Sequence, residues 1–93
     1  KEVELVLDAQ PGVLESAVIG VPHPDFGEAV VAVIVPAPGA MPDPEAIMQG
    51  LGQQLARFKQ PKHIELRDEL PRNTMGKVQK NLLRDALQGL FRA

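Results

Sequence analysis

Residues 70–80 of this 93-residue chain read LPRNTMGKVQK, and the rest of the sequence is organised around them. Pro71 restricts how the chain enters this stretch, and Gly76 permits a positive φ angle on a tight backbone bend. Because polar residues precede this bend and apolar residues follow it, the stretch predicts an exposed loop that presents Lys77. A lysine held in this way is a fixed positive charge.

The Gly76-Lys77 pair invites comparison with the phosphate-binding Walker loop, but the pattern does not match. The Walker motif needs a glycine five residues before its Gly-Lys glycine and a serine or threonine directly after the lysine. Pro71 and Val78 occupy those two positions here. From spacing alone, the favoured interpretation of Lys77 is an ordinary solvated lysine in a turn.

The longer run LPRNTMGKVQKNLLR (70–84) resembles the C-terminal signature of the adenylate-forming enzymes, which include acyl-CoA synthetases, luciferases and peptide-synthetase adenylation domains. Three further stretches resemble the same family's C-terminal domain in the right order, so the resemblance covers nearly the whole chain: KEVE (1–4), VIGVPHPDFGEAVVAVIV (18–35) and ARFKQPKHIEL (56–66). Within the family, RNTMGKVQKN (72–81) is most similar to malonyl-CoA synthetases. One departure is Lys80, where many members carry arginine and its planar, bidentate fork.

This resemblance implies that residues 1–93 are a single mobile C-terminal lid domain, and that a large N-terminal domain is absent from the chain. The missing domain would bind ATP, Mg²⁺ and a carboxylic acid. The implied reaction joins acid and ATP into an acyl-adenylate with release of pyrophosphate, after which the thiol of CoA attacks the adenylate. Lys77 would be catalytic in the first half-reaction, supported by the loop residues Pro71, Arg72, Asn73, Thr74 and Gly76.

The same resemblance implies regulation, because lysines at the position of Lys77 are often acetylated by protein acetyltransferases and restored by sirtuin-type deacetylases. Acetylation removes the charge and would block the first half-reaction. The piece is expected to be inactive alone as an acid–CoA ligase, with malonate as the predicted acid. The alternative is a stand-alone α+β interaction module without a catalytic role, which the presence or absence of an upstream ATP-binding domain would decide.

Composition limits the classes of protein to which the chain can belong. Ninety-three residues with 44% apolar content suit one small domain. The sequence has no apolar run of the length that spans a bilayer and no signal-peptide pattern, so we expect no membrane partner. The absence of cysteine fits a cytoplasmic protein without disulfides. With three aromatic residues, all Phe, and a net charge of −2, nucleic-acid binding is disfavoured.

The net charge hides an asymmetry along the chain. Residues 1–56 carry eight acidic side chains and one basic one, whereas residues 57–84 carry eight basic side chains and three acidic ones. A positive field around the Gly-Lys stretch would attract an anion such as a nucleotide or a carboxylate, although a solvated surface is the alternative. Lys59, Arg72 and Lys80 are nearby bases, but the sequence assigns no contact with CoA to them.

Periodicity predicts six secondary-structure elements. Residues 1–9 have one apolar helical face, and residues 13–21, 29–35 and 62–67 are typical of strands, the second of them buried on both sides. A helix begins at Asp43-Pro44, presents the stripe Ile47, Leu51, Leu55 and Phe58, and is closed by Gln60-Pro61. A closing helix carries Leu82, Leu83, Ala86, Leu87, Leu90 and Phe91. The predicted fold is α+β, a small antiparallel-rich three-stranded sheet flanked by helices.

The remaining polar side chains of chemical interest lie in the first turn and on the third strand. His23, Asp25 and Glu28 are of metal-ligand type, but a loop with two prolines favours a rigid surface turn, and we expect no metal site. His63 points away from Ile64 on the third strand and is expected to be a surface histidine rather than a catalytic base.

Overall fold

The computed structural model describes residues 2–91, apart from the side chain of Phe58. Six helices and strands follow one another in the predicted α+β order: α1 Glu2–Asp8, β1 Val13–His23, β2 Gly27–Pro36, α2 Pro44–Gln54, β3 His63–Leu66 and α3 Lys80–Leu87. A short 3-10 turn, Arg57–Lys59, lies between α2 and β3. The predicted fold class is confirmed.

The sheet has the order β1-β2-β3 and contains both kinds of strand pairing. β1 and β2 form the expected antiparallel hairpin, with His23 opposite Gly27 at its tip. β3 runs parallel to β2, from His63 beside Val31 to Leu66 beside Ile34. Because the connection from β2 to β3 carries α2, the chain can return to the starting end of the sheet, as parallel pairing requires. The sheet is therefore mixed, and most of its pairing is antiparallel.

Helices cover both faces of the sheet. On one face α3 packs against alternate residues of β1 and β2, and the buried cluster comprises Ala17, Ile19, Val21, Val31, Val33, Val35, Leu70, Leu83 and Leu87. On the other face lie α1 and α2, with Leu7, Ala32, Ile34, Ile47, Leu51, Leu55 and Ile64. The central strand β2 is consequently buried on both faces, as its apolar run predicts.

The predicted start of α2 is confirmed, but the predicted end of the helix is wrong. Asp43 caps the helix, its Oδ1 accepting a hydrogen bond from the Glu45 N–H at 3.0 Å. The helix ends at Gln54, and Leu55 adopts extended backbone angles while its N–H still bonds Leu51 O at 2.8 Å. The predicted helix reached Gln60. Gly50 and Gly52 lie in the last turns of α2 and lower its helix propensity. The helix can therefore end at Gln54 while the side chain of Leu55 stays buried.

Phe58 was predicted to continue the core stripe of α2, and it belongs instead to the separate 3-10 turn. Its side chain lies outside the described residues.

The closing helix is shorter than its periodicity predicts. α3 ends at Leu87, and the chain then forms a turn closed by a 2.9 Å hydrogen bond from Leu90 N–H to Leu87 O. Leu83 and Leu87 are buried, and Leu90 and Phe91 pack partly against the same cluster. Leu82 is 44% exposed, so it is not a core residue of this domain. Ala86 is also exposed.

Candidate functional site

Residues 71–79, which we call the Gly-Lys loop, form a narrow bend between β3 and α3. Leu70 is buried immediately before the loop, and Val78 packs against the same apolar cluster at its far side. Between them, Arg72 and Val78 face each other in an isolated antiparallel bridge. The Gln79 N–H donates to Pro71 O at 2.8 Å and closes the base of the loop. Both ends of the loop are thus fixed to the core.

The tip of the loop is a hydrogen-bonded turn built by Asn73 and Gly76. The Gly76 N–H bonds Asn73 O at 3.0 Å, and the Asn73 N–H bonds Lys77 O at 3.0 Å. The side-chain Oδ1 of Asn73 accepts from the N–H groups of Met75 at 2.9 Å and Lys77 at 3.0 Å. Gly76 has a φ of 84°, the left-handed conformation that a turn followed by a one-residue bulge needs. The backbone around Lys77 is therefore held from both sides.

Lys77 lies at the surface of the domain. Its side chain is exposed, and within residues 2–91 it forms none of the ion pairs. Thr74 and Met75 are exposed at the tip beside it, and Met75 is 90% accessible. The loop presents a cation and an apolar side chain on a stiff backbone, which suits contact with a surface outside this domain.

Arg72 clamps the loop to the start of the sheet. Its Nη1 donates to Gly76 O at 2.7 Å, and its Nη2 donates to Oε1 of Glu15 on β1. One guanidinium therefore links the glycine that precedes Lys77 to a strand of the sheet. A planar fork can form both bonds at once, whereas a lysine ammonium offers no such geometry.

Lys80, at the start of α3, is paired with Glu4 of α1. The Lys80 Nζ lies 2.8 Å from Glu4 Oε2, and the same oxygen accepts from the Val18 N–H at 2.7 Å. Burial by itself raises the pKa of the Glu4 carboxyl, but the hydrogen bonds from Lys80 and Val18 lower that pKa by a larger amount. The net pKa is therefore below its ordinary value. This carboxylate joins α1, β1 and α3 at one point.

Lys59, Arg72 and Lys80, the bases singled out in the sequence, all have carboxylate partners. Besides the pairs of Arg72 and Lys80, Lys59 Nζ lies 2.7 Å from Glu2 Oε1. The acidic first half of the chain thus neutralises much of the basic second half, and the positive field expected around the loop is reduced. Sequence reasoning missed these carboxylates because they pair with bases more than fifty residues away, and only the charge asymmetry between the two halves hinted at them.

His23 ends β1 at the hairpin turn, and the half-buried His63 begins β3. His23 Nδ1 accepts from the Asp25 N–H at 3.0 Å, and its ring stacks on Phe26 at 4.4 Å between centroids, so this histidine builds the turn. His63 Nε2 lies 2.9 Å from Glu65 Oε1 at the edge of the sheet. Among residues 2–91 no group of three or more His, Asp or Glu side chains is placed to hold a metal ion.

Open clefts in the described part of the chain are lined by residues outside the Gly-Lys loop. An open cleft of about 370 Å³ is lined by Pro36, Ala40, Met41, Pro42, Leu66, Arg67 and Asp68, none of which belongs to the Gly-Lys loop. No helix within residues 2–91 has the length and apolar character needed to cross a membrane. What this loop presents chemically is the ammonium of an exposed lysine on a hydrogen-bonded backbone.

Comparison with known proteins gives consistent matches. A family model described as the AMP-binding enzyme C-terminal domain matches residues 2–77. The chain is 44% identical over 88 residues to the fatty acid–[acyl-carrier-protein] ligase ScoC of Streptomyces coeruleorubidus, covering 95% of this chain and 17% of that protein. It is 42% identical over 83 residues to the indoleacetate–CoA ligase of Aromatoleum aromaticum, covering 89% of this chain and 16% of the ligase.

Solved structures agree with the sequence matches. ATP-bound MatB from Rhodopseudomonas palustris superimposes with a TM-score of 0.95 at 55% identity, over 98% of this chain and 18% of the MatB chain. The chain therefore spans less than a fifth of the length of these relatives.

Proposed function

This chain belongs to the AMP-binding enzyme C-terminal domain family, and from that premise we propose that it is the mobile lid of an AMP-forming acid–CoA ligase. The observation that carries the proposal is the Gly-Lys loop, where an exposed Lys77 lies on a backbone fixed by Asn73 and Gly76. We propose Lys77 as the catalytic residue of the adenylation half-reaction.

In that half-reaction a carboxylate oxygen attacks the α-phosphorus of ATP and pyrophosphate leaves. Negative charge grows on the phosphoryl oxygens as the new P–O bond forms. An ammonium about 4 Å away contributes roughly 4 kcal/mol at an effective dielectric constant near 20, and desolvation of the lysine offsets part of this. The loop's contribution is orientation: because the lysine backbone is already held, little ordering remains when the lid closes.

The second half-reaction needs the lysine to move away. The CoA thiol attacks the carbonyl carbon of the acyl-adenylate, and AMP leaves. A lysine that stayed over the phosphate would obstruct this approach, whereas a lysine on a separate domain can withdraw without any change to the substrate pocket. The rest of the full-length enzyme would bind ATP, Mg²⁺ and the acid.

We propose malonate as the acid. This proposal rests on residues 72–81, which resemble malonyl-CoA synthetases. The comparisons do not favour the stand-alone interaction module, since the matched relatives named above are ligases. We place the enzyme in the cytoplasm, where CoA and ATP are available.

The test is acid-dependent ATP–pyrophosphate exchange in the full-length ligase, with Lys77→Ala as the variant and Lys62→Ala as the control. Lys62 is also an exposed lysine, and its ammonium lies 5.0 Å from the Phe26 ring. We expect Lys77→Ala to lower exchange by two to three orders of magnitude, about 3–4 kcal/mol, while thioester formation from supplied adenylate largely survives. Equal exchange rates in the two variants would refute the assignment of Lys77.

Lys77 is also our proposed site of regulatory acetylation, because its exposed ammonium is accessible to a protein acetyltransferase. Acetylation would remove the charge that stabilises the phosphoryl oxygens, and a sirtuin-type deacetylase would restore it. Mass spectrometry after incubation with such an acetyltransferase and acetyl-CoA should find the modification on Lys77 together with loss of exchange activity. Modification confined to other lysines would contradict the proposal.

A further inference from the structure

The link from Glu15 through Arg72 to the carbonyl of Gly76 couples the position of Lys77 to the sheet. Glu15 lies on β1, on the strand at one edge of the sheet, and is 57 residues away from Arg72 in the sequence. Arg72 uses one nitrogen for this carboxylate and another for Gly76 O at 2.7 Å. The peptide group that Arg72 holds is the one that joins Gly76 to Lys77.

We propose that Glu15 and Arg72 are positioning residues for Lys77, and that they set the rate of adenylation without contacting the substrate. This inference rests on the proposed catalytic role of Lys77. The turn hydrogen bonds of Asn73 fix the shape of the loop, but they are all internal to it. Arg72 is the side chain within residues 2–91 that ties the loop's tip to the sheet by hydrogen bonds.

The solvent exposure of the Arg72–Glu15 ion pair indicates that the pair positions the loop rather than stabilises the fold. The side chains of Arg72 and Glu15 are 43% and 29% exposed, and ion pairs of this exposure contribute little to the free energy of unfolding. A small displacement of a charged catalytic group, in contrast, lowers a rate strongly, because the geometry of near attack is lost. Loss of the pair should therefore change catalysis far more than it changes the melting temperature.

The fork geometry makes the proposal specific. Glu15→Gln removes the negative charge at constant shape, so the guanidinium loses its charged anchor. Arg72→Lys keeps the positive charge, but one ammonium on a flexible chain cannot reproduce the two directed bonds. The exchange Glu15→Arg with Arg72→Glu restores an ion pair of opposite polarity, yet a carboxylate at position 72 cannot donate to Gly76 O.

The experiment measures both half-reactions and thermal unfolding in the full-length ligase. We expect Glu15→Gln and Arg72→Lys each to lower the kcat of ATP–pyrophosphate exchange by about 10-fold, with the KM for the acid unchanged. The exchanged double variant should stay as slow as Arg72→Lys. Glu2→Gln is the control, because Glu2 forms an exposed ion pair with Lys59 that includes no residue of the Gly-Lys loop, and it should leave kcat unchanged.

A double-mutant cycle with Lys77→Ala separates the inference from the function on which it rests. If Glu15 acts through Lys77, then Glu15→Gln should have no further effect once the lysine is absent. Full activity of Glu15→Gln beside an inactive Lys77→Ala would overturn the positioning role alone. An additive loss in the double variant would assign Glu15 a general structural role and also overturn the proposal. Full activity of Lys77→Ala would instead refute the proposed function.

Discussion

Gly76→Ala is the substitution whose effect can be worked most directly from the loop geometry. A Cβ atom placed on Gly76 meets no atom within 4 Å, so the added methyl group causes no clash. What remains is the φ angle of 84°, which disfavours any side chain. For an L-residue the left-handed conformation costs about 1–2 kcal/mol. Alanine therefore disturbs this loop through its backbone angle alone.

The consequence for catalysis follows from the same figure. If adenylation requires the turn as observed, a shift of about 1–2 kcal/mol away from it lowers the exchange kcat by up to about 5- to 30-fold. Asparagine adopts the left-handed conformation more readily than alanine does, so Gly76→Asn should retain more activity. The same backbone cost weakens the folded domain, so Gly76→Ala should also lower its free energy of unfolding by up to about 1–2 kcal/mol, and Gly76→Asn by less.

The assay is ATP–pyrophosphate exchange in the full-length ligase, with thermal unfolding in parallel. Gly52→Ala is the control, because this glycine lies within α2 and its nearest neighbour atoms, from Gln60, are 3.8 Å from an added Cβ. It should stabilise the domain by about 1 kcal/mol through helix propensity and leave exchange unchanged. Wild-type exchange in Gly76→Ala, or equal losses in the alanine and asparagine variants, would refute the argument from the φ angle.

Three predictions concern stability and can be measured by chemical denaturation. Leu83→Ala should lower the free energy of unfolding by about 2–5 kcal/mol, because Leu83 is fully buried between α3 and the sheet; a loss below 1 kcal/mol would mean that α3 does not pack as described. Asp43→Ala should lower it by about 1 kcal/mol through loss of the α2 cap, whereas Asp43→Asn should be nearly neutral. The pKa of Glu4 is lowered by folding, so its stabilising effect is present above the unfolded-state pKa and disappears as the pH falls through the folded-state value. Glu4→Gln should therefore flatten the acidic limb of stability against pH, and an unchanged limb would contradict the contribution of this carboxylate.

Local patterns in the sequence were sufficient for the elements and for the loop. The apolar run 29–35 identified the doubly buried strand, and the Asp43-Pro44 pair identified the start of α2. Gly76 identified the bend, because glycine adopts the left-handed conformation more readily than other residues do. For the helix start and the bend, the decisive interaction lies within a few residues of the pattern that reports it, whereas the apolar run predicts burial through its composition.

Features that depend on distant partners were not accessible in the same way. The parallel pairing of β3 with β2 is set by the path of the chain through α2. Strand periodicity does not report strand direction, although a helix between two strands favours parallel pairing. The early end of α2 reflects a compromise between weak helix propensity and the burial of Leu55. The roles of Glu4 and Glu15 appear only in the folded chain, because their partners Lys80 and Arg72 are far away in sequence.

The Glu4 carboxylate has a practical consequence for swapping this domain between related ligases. It accepts hydrogen bonds from Lys80 of α3, which follows the loop, and from Val18 of β1, which precedes it. The first turn of α1 and the start of α3 therefore need compatible residues. A chimaera whose crossover falls between Glu4 and Val18 would inherit those parts from different parents. Grafts that keep α1 with the donor should transfer the loop with its native support, and grafts cut within residues 5–17 should need Glu4 and Lys80 reintroduced together.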